Sequence, residues 1–301
     1  MNHTWKRTAA LLLACVLSTL FAGCGGKSGA NTLHMATKPM TEQYIMGYMM
    51  RDLIQQDTDL TVDVTVGVGG GVANIQPAME KGAFDFYPEY TGTGWNAVLK
   101  EESLYDESMF DQLQAGYGRM GMTWTGMLGF NNTFGIAVTR AAAEAYGLQT
   151  FSDLAAVSQA LTFGAEYDFF EREDGYDALQ KTYGMEFADT MDLDIGLKYD
   201  AIRQGKIDVM NIFTTDGQLA ESDIVVLEDD KGLYPSYLCG FVAREDVLEQ
   251  HPELRDVFSL VTGILTDAEM AEMNNQVETE GVEPEEAAAA FLRTKGLLHE
   301  S

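Results

Sequence analysis

Residues 86–94 read Phe86-Tyr87-Pro88-Glu89-Tyr90-Thr91-Gly92-Thr93-Gly94, and they follow a helix-like stretch and the short apolar run 82–86. Two tyrosines flank a Pro-Glu pair, and a threonine/glycine turn comes next. The pattern predicts a strand that ends in a turn, with an aromatic face and small hydroxyl groups at the mouth of a loop. Ligand sites in α/β domains lie at such strand ends. We therefore expect a binding site here.

Strand-like and helix-like patterns alternate on both sides of this stretch. Leu33–Ala36 and 61–67 read as strands, and 44–55 and 72–81 read as helices. Further strands are predicted at 134–138, 161–164, 207–213 and 240–244, with capped helix starts at Thr150 and Thr266. This alternation predicts an α/β fold with mainly parallel sheets.

The N-terminus has the pattern of a bacterial lipoprotein signal. Two cations, Lys6 and Arg7, precede the mainly apolar run 9–21, which is too short to span a membrane comfortably. The run ends in Leu20-Phe21-Ala22-Gly23-Cys24, which resembles a lipobox. We expect residues 1–23 to be a signal peptide, Cys24 to carry the lipid, and 24–31 to form a flexible tether. A plain secreted protein cleaved near Ala22 is the alternative.

The charge balance excludes several classes of partner. The chain carries a net charge of −28, and loss of the two cations of the signal peptide takes it to −30. Such acidity argues against binding of nucleic acid and against a basic patch that lies on anionic lipid. Cys15 leaves with the signal, so lipidation of Cys24 leaves Cys239 without an internal disulfide partner.

The sequence carries no signature of catalysis. The four histidines are far apart, and neither a Gly-x-Ser-x-Gly elbow nor a phosphate-binding lysine loop is present. The glycines 69–71 lack the spacing of a dinucleotide fingerprint. Asp189, Asp192 and Asp194 could hold a divalent ion, but solvated or helix-capping roles are favoured. We expect a binding protein without catalytic residues, metal or cofactor.

Four aromatic residues lie at predicted strand-to-loop junctions: Tyr90, Phe134, Phe213 and Tyr237. Taken singly, each is more often a core residue than a ligand contact. Together they could form an aromatic cage. A quaternary ammonium group cannot donate a hydrogen bond, so proteins hold it with aromatic faces that contribute about 0.5–2 kcal/mol each.

The chain resembles the glycine betaine/choline-binding proteins of ABC-type osmoprotectant importers. The resemblance runs from about residue 32 to about residue 298 and is carried by several motifs in order. They are Thr37-Lys38-Pro39-Met40-Thr41-Glu42-Gln43, Tyr87 to Gly94, Phe130-Asn131-Asn132-Thr133-Phe134, Phe163 to Tyr167, Arg172 to Tyr176, Asp208 to Gly217, and Leu227 to Tyr237. The resemblance implies a two-lobed periplasmic-binding-protein type II fold with a ligand cleft between the lobes. The expected lobes are 32–131 with 238–301, and 132–237.

The resemblance also implies roles for the aromatic residues. The family cages a trimethylammonium group with aromatic side chains, usually tyrosines, and Tyr90 and Tyr237 match that pattern. Phe134 and Phe213 stand where tyrosine is common. Phenylalanine keeps the aromatic face but lacks the hydroxyl group that could brace the cage.

A second set of residues is implied for the carboxylate of the ligand. In the betaine binders of the family, a lysine, a threonine and an arginine bind this group, and Lys38, Thr93 and Arg172 occupy those positions. Choline has no carboxylate, so glycine betaine or a similar zwitterion is favoured. The alternatives are a solvated surface role for Lys38, and a structural ion pair of Arg172 with Glu171 or Asp174.

The resemblance predicts a monomeric, extracytoplasmic protein that is lipid-anchored to the bacterial cell membrane. It would capture a quaternary ammonium osmoprotectant by lobe closure and deliver it to the permease subunits of an ABC transporter. A choline- or carnitine-specific binder, and a binder of another small amine with the same fold, are alternatives. A surface-anchored hydrolase and an adhesion or scaffold protein are rivals of other classes.

Overall fold

The computed structural model describes residues 31–299 except 173, 195, 196, 220, 221 and 235. The expected signal peptide, Cys24 and the tether as far as residue 30 lie outside the described residues. Within the described part, no helix combines the length and the apolar character needed to cross a membrane.

Ten strands in the described residues form two five-stranded sheets. They are β1 (Thr32–Ala36), β2 (Thr61–Thr65), β3 (Phe86–Tyr90), β4 (Met122–Thr125), β5 (Phe134–Thr139), β6 (Thr162–Ala165), β7 (Asp189–Asp192), β8 (Val209–Phe213), β9 (Ile224–Val226) and β10 (Cys239–Arg244). The first sheet has the order β2-β1-β3-β10-β4, and the second has the order β7-β6-β8-β5-β9.

The helices of the described residues flank these sheets and connect their strands. They are α1 (Thr41–Asp57), α2 (Val72–Glu80), α3 (Thr91–Thr93), α4 (Phe110–Gly118), α5 (Arg140–Tyr146), α6 (Phe151–Ala155), α7 (Tyr167–Glu171), α8 (Tyr176–Tyr183), α9 (Lys198–Arg203), α10 (Glu245–Gln250), α11 (Leu254–Leu260), α12 (Asp267–Glu278) and α13 (Pro284–Thr294). A π-helical segment (Gly94–Val98) and two 3₁₀ turns (Glu107–Met109 and Ser158–Ala160) complete them.

The predicted strands are confirmed, and their ends differ from the observed ends by no more than two residues. The expectation of mainly parallel sheets is wrong, because both sheets are mixed. β1 runs parallel to β3, and β6 runs parallel to β7 and β8. In contrast, β10 is antiparallel to β3 and β4, and β5 is antiparallel to β8 and β9. The chain reaches β5 and β10 from the other sheet, and not through a helical crossover within the same sheet. Parallel pairing with their neighbouring strands is therefore not imposed on them.

The chain passes between the two sheets twice. It leaves the first sheet after β4, builds β5 to β9, and returns to the first sheet as β10. The two connections are hydrogen-bonded to each other: Asn131 and Leu238 form an isolated antiparallel bridge, and the amide of Asn132 donates to the carbonyl of Tyr237 at 3.2 Å. The expected lobe boundaries fall in these connections and stay a prediction.

β3 is the central strand of the first sheet, and it leads directly into Thr91. All five of its residues are buried, and β1 and β10 are its neighbours. Phe86 and Tyr90 pack in the core that includes α1, whereas Tyr87 packs in the core on the opposite face with Trp95. This alternation follows from the two-residue period of a strand, and it fixes Tyr90 at the end of β3 on the α1 side.

Helix α6 begins at the capped start predicted from the sequence, and the cap is a capping box. The hydroxyl of Thr150 accepts the amide of Asp153 at 3.1 Å, and the carboxylate of Asp153 accepts the amide of Thr150 at 2.9 Å. These bonds satisfy amides that the first turn of a helix leaves without a partner.

We expect Thr150→Ala to lower the free energy of unfolding by about 1 kcal/mol, the usual effect of losing an N-cap hydroxyl. Denaturant unfolding of both proteins measures the difference. Thr150→Ser keeps the hydroxyl and should stay close to the parent. Equal losses in the two variants would show that the hydroxyl contributes nothing.

Candidate ligand-binding site

Lys38 lies directly after β1 and is turned into the protein. Its side-chain ammonium pairs with the carboxylate of Glu89, and the two residues are 7% and 0% exposed. The Nζ atom also lies 4.7 Å from the centroid of the Tyr90 ring. The alternative of a solvated surface lysine is therefore wrong. An unpaired buried carboxylate is strongly unfavourable, so Glu89 within β3 requires such a cation.

The Tyr90 ring is fixed at its far end by Glu42, the second residue of α1. The phenolic hydroxyl donates to the Glu42 carboxylate, which also accepts bonds from Asn132 at 2.6 Å and from Thr215 at 2.7 Å. Burial raises the pKa of the Glu42 carboxyl, although its hydrogen bonds act in the opposite direction. The role of Glu42 was not predicted, although it lies in the motif 37–43.

The Tyr237 ring packs against α3, a short helix that stands where the sequence predicted a turn after β3. A methyl group added to Gly92 would lie 2.7 Å from Cε1 of Tyr237 and 2.8 Å from the carbonyl oxygen of Ser236. Real side chains do not approach so closely, so glycine is required at this position. Thr93 is the half-buried last residue of α3. α3 therefore brings Gly92, which lies between Tyr90 and Thr93 in the chain, against Tyr237.

Arg172, which follows α7, is ion-paired with Asp174. Its Nε atom lies 2.7 Å from Oδ1, and its Nη2 atom lies 2.6 Å from Oδ2. The same Nη2 atom lies 3.3 Å from the hydroxyl of Tyr237, which itself donates to Asp174. The guanidinium carbon lies 5.3 Å from the centroid of the Phe134 ring. The alternative of a pair with Asp174 thus holds, and the side chain of Arg172 remains 45% exposed.

This pairing shifts the pKa values of both partners. Burial alone would lower the pKa of Arg172, but the bonds to Asp174 raise it above its ordinary value. Burial alone would raise the pKa of Asp174, but the guanidinium lowers it below its ordinary value. The pair is therefore charged over the whole neutral pH range.

The two phenylalanines face each other across neighbouring strands. Phe134 begins β5, Phe213 ends β8, and the two are register partners. Their ring centroids are 4.9 Å apart with an interplanar angle of 33°. Tyr234 and Phe169 pack on Phe134 at 5.6 Å and 5.2 Å. The phenylalanines therefore form one apolar wall, and Tyr234 is an aromatic neighbour that the sequence reasoning did not single out.

A buried polar cluster adjoins this wall. The Nζ atom of Lys198 lies 5.2 Å from the centroid of the Phe213 ring, 3.4 Å from Asp216 and 3.6 Å from Glu166. Asn211 donates to Glu166 at 2.9 Å. Among the described residues, no hydrogen-bond partner is found for Lys198 Nζ, Glu166 Oε2 or Asn211 Oδ1. A lysine in a short helix gives no sequence signal for such a position.

The predicted residues form one chain of contacts through the fold. Lys38 lies over Tyr90, and α3, which follows Tyr90, packs on Tyr237. Tyr237 contacts Arg172. Arg172 lies over Phe134, whose ring packs on that of Phe213. The aspartates of the possible ion site lie elsewhere: Asp189 and Asp192 are exposed on β7. Within the described residues, no group of three or more His, Cys, Asp or Glu side chains is placed to hold a metal ion.

We expect the free energy of unfolding of Asp174→Asn to fall less between neutral and acid pH than that of the parent protein. The pKa of Asp174 is lowered in the folded protein, so its charge stabilises the fold above the unfolded value of about 3.9, and this contribution is lost as the pH falls through the folded value. Urea unfolding at pH 7 and pH 3 measures the difference. Asp192→Asn removes the same charge at an exposed position and should depend on pH as the parent protein does. If Asp174→Asn also showed the pH dependence of the parent, the lowered pKa of Asp174 would be contradicted.

The sequence matches one family model over most of its length. Residues 31–294 match the model described as the substrate-binding domain of ABC-type glycine betaine transport systems. This match confirms the resemblance drawn from the motifs.

Two curated relatives show the range of proteins that the chain is similar to. An ergothioneine transport permease/ergothioneine binding protein of Helicobacter pylori is 40% identical over 266 residues, which cover 88% of this chain and 48% of that protein. The chain thus spans about half the length of this relative. A carnitine transport binding protein of Listeria monocytogenes is 32% identical over 290 residues, which cover 95% and 92% of the two chains.

The fold agrees with a solved structure of the same kind. A crystal structure of a glycine betaine/carnitine/choline ABC transporter superposes with a TM-score of 0.80 at 32% identity, covering 88% of this chain and 99% of the other. The two-lobed α/β fold of periplasmic substrate-binding proteins is therefore confirmed. The chain belongs to the family of substrate-binding domains of ABC-type glycine betaine transport systems.

Proposed function

We propose that this chain captures a trimethylammonium carboxylate, with glycine betaine as the simplest example, and delivers it to the permease of an ABC importer. The observation that carries the proposal is the chain of contacts from Lys38 to Phe213. It combines aromatic faces for a cation with N–H donors for a carboxylate. The family membership supports the transport role, and the names of the relatives support the ligand class.

The aromatic faces suit the quaternary ammonium end. Two rings of the site already lie beneath cations: Tyr90 beneath Lys38, and Phe134 beneath Arg172. Each such contact contributes about 0.5–2 kcal/mol when it is desolvated. The same attraction would hold a trimethylammonium group, which needs no hydrogen-bond acceptor.

The carboxylate end depends on N–H donors rather than on net positive charge. Lys38 and Arg172 are each paired with a carboxylate of the protein. An ammonium has three donors and a guanidinium has five, more than these pairs use. The hydroxyl of Thr93, a half-buried residue, would add another donor. A ligand carboxylate would join these pairs through charge-assisted hydrogen bonds, which choline cannot make.

A second candidate is a larger betaine that carries a hydrogen-bonding ring. The buried atoms of Lys198, Glu166 and Asn211 beside Phe213 offer donors and acceptors that glycine betaine is too small and too simple to use. Ergothioneine, a trimethylammonium carboxylate with a thioimidazole ring, has this chemistry. The similarity to the Helicobacter relative, which is named for that compound, supports testing it.

The remaining expectations complete the proposal. The signal pattern supports an extracytoplasmic protein that Cys24 anchors to the membrane through a lipid. Closure of the two lobes on the ligand would create the surface that the permease subunits recognise. The protein would act as a monomer and as a binder without catalytic turnover.

Isothermal titration of residues 25–301 should show affinity on the order of micromolar for glycine betaine or ergothioneine, with choline at least about tenfold weaker. Carnitine serves as the intermediate case, because it keeps both charged ends but is longer. Binding of choline alone would reject the carboxylate site and keep the aromatic site. Binding of none of the four compounds would reject the proposed function.

We expect Tyr90→Ala and Tyr237→Ala each to weaken trimethylammonium binding by about tenfold or more, because each removes an aromatic face at the centre of the site. Affinity is measured by titration of folded protein. Tyr146→Ala, which removes a 48% exposed tyrosine at the end of α5, is the matched control and should bind like the parent. Unchanged affinity in both Tyr90→Ala and Tyr237→Ala would contradict the proposed aromatic cage.

A further inference from the structure

The carboxylate of Glu42 is a junction between the two sheets. One oxygen accepts the hydroxyl of Tyr90 and the side-chain amide of Asn132, at 2.6 Å for the latter. The other oxygen accepts the hydroxyl of Thr215 at 2.7 Å and the side-chain amide of Asn274 at 3.4 Å. An ionised carboxylate only accepts hydrogen bonds and has about four favourable directions for them. The four donors match that capacity.

The donors come from separate parts of the fold. Tyr90 ends β3 of the first sheet, and Thr215 follows β8 of the second sheet. Asn132 lies in the first connection between the sheets, and Asn274 lies in α12. Glu42 itself is in the first turn of α1 and only 2% exposed. A single side chain thus holds a ring of the ligand site and a turn of the opposite sheet.

The turn 214–217 is also seated directly on α12. A methyl group added to Gly217 would lie 2.6 Å from the backbone nitrogen of Asn275. The side-chain amide of Asn274 donates to the carbonyl of Thr215 at 2.8 Å. This close approach leaves the turn little freedom to shift without breaking its bond to Glu42.

We infer that Glu42 is a positioning residue that couples the orientation of Tyr90 to the placement of the turn 214–217. The coupling itself is a property of the fold, and its effect on ligand affinity rests on the proposed function. Tyr90 would then present its ring to the ligand correctly only while the second sheet is seated against Glu42. Ligand capture and the relative placement of the sheets would then both depend on the buried carboxylate of Glu42.

Glu42→Gln should selectively weaken the hydrogen bond between residue 42 and Tyr90. The new amide nitrogen must face one of the two pairs of donors. Asn274 cannot turn its amide over without losing the bond to Thr215. Asn132 can, because its buried Oδ1 has no hydrogen-bond partner within the described residues. The nitrogen therefore turns toward Asn132. The hydroxyl of Tyr90 loses its charged acceptor and can only accept a weaker bond from the neutral amide.

A double-mutant cycle on ligand affinity tests the coupling. Glu42→Gln and Tyr90→Phe should each weaken betaine binding by about tenfold, as for loss of a hydrogen bond to a charged group, and the double variant should be no weaker than either one. Tyr183→Phe is the matched control. It removes a buried hydroxyl at the end of α8, where the partners are Asp229 and the amide of Lys231, and should leave affinity unchanged. Additive losses in the double variant would overturn the inference.

Hydrogen exchange measured without ligand separates this inference from the proposed function. Thr215→Val removes the bond between the turn and Glu42, so it should speed exchange of the Thr214 and Asp216 amides, whereas Tyr183→Phe should not. If the parent binds none of the trimethylammonium ligands, the proposed function fails, and the exchange rates still decide the coupling. Unchanged exchange in Thr215→Val overturns the coupling whatever the affinities. Because Thr215→Val keeps the carboxylate, it also replaces Glu42→Gln in the affinity cycle if Glu42→Gln does not fold.

Discussion

The ligand site depends on one buried charge in the central strand of the first sheet. Glu89 lies in β3, every residue of which is buried, and a carboxylate in that position requires a cation. Lys38 supplies it from the end of the neighbouring strand, β1. The ion pair explains why a lysine close to the turn points inward, and it sets the ammonium over the ring of Tyr90. The position of Lys38 in the candidate site thus follows from a requirement of the fold.

The same arrangement recurs on the other side of the site. Arg172 is paired with Asp174 and lies over Phe134, as Lys38 is paired with Glu89 and lies over Tyr90. Each half of the site therefore combines a ring, a cation and a carboxylate. Under the proposed function, recognition of a zwitterion would rely on directional hydrogen bonds and aromatic faces, with little contribution from net charge. The spacing of the ligand's two charged ends would then be the main basis of discrimination.

Much of this could be predicted from the sequence, and the exceptions have physical causes. Strands with apolar runs were located within two residues, whereas the edge strands β4, β7 and β9 were missed. β7 is polar and exposed, and β4 and β9 have only four and three residues. The direction of β5 and β10 depends on the path between sheets, which no local pattern encodes. The ring positions followed from their motifs. Glu42 and Lys198 were missed because a buried charged residue looks like a surface residue until its partners are known.

The hydrogen-bonded connections between the sheets have a mechanical consequence. A two-stranded ribbon can bend and twist, but sliding would break its cross-bonds, including the one from Asn132 to Tyr237. Tyr237 belongs to this ribbon, since its own amide donates to the side chain of Asn131 at 2.7 Å. If the second sheet rotated against the first, Tyr237 would lie near the pivot, while Phe134 and Phe213 would move with the second sheet. A ligand would therefore meet a stationary ring first and be enclosed by a moving wall afterwards.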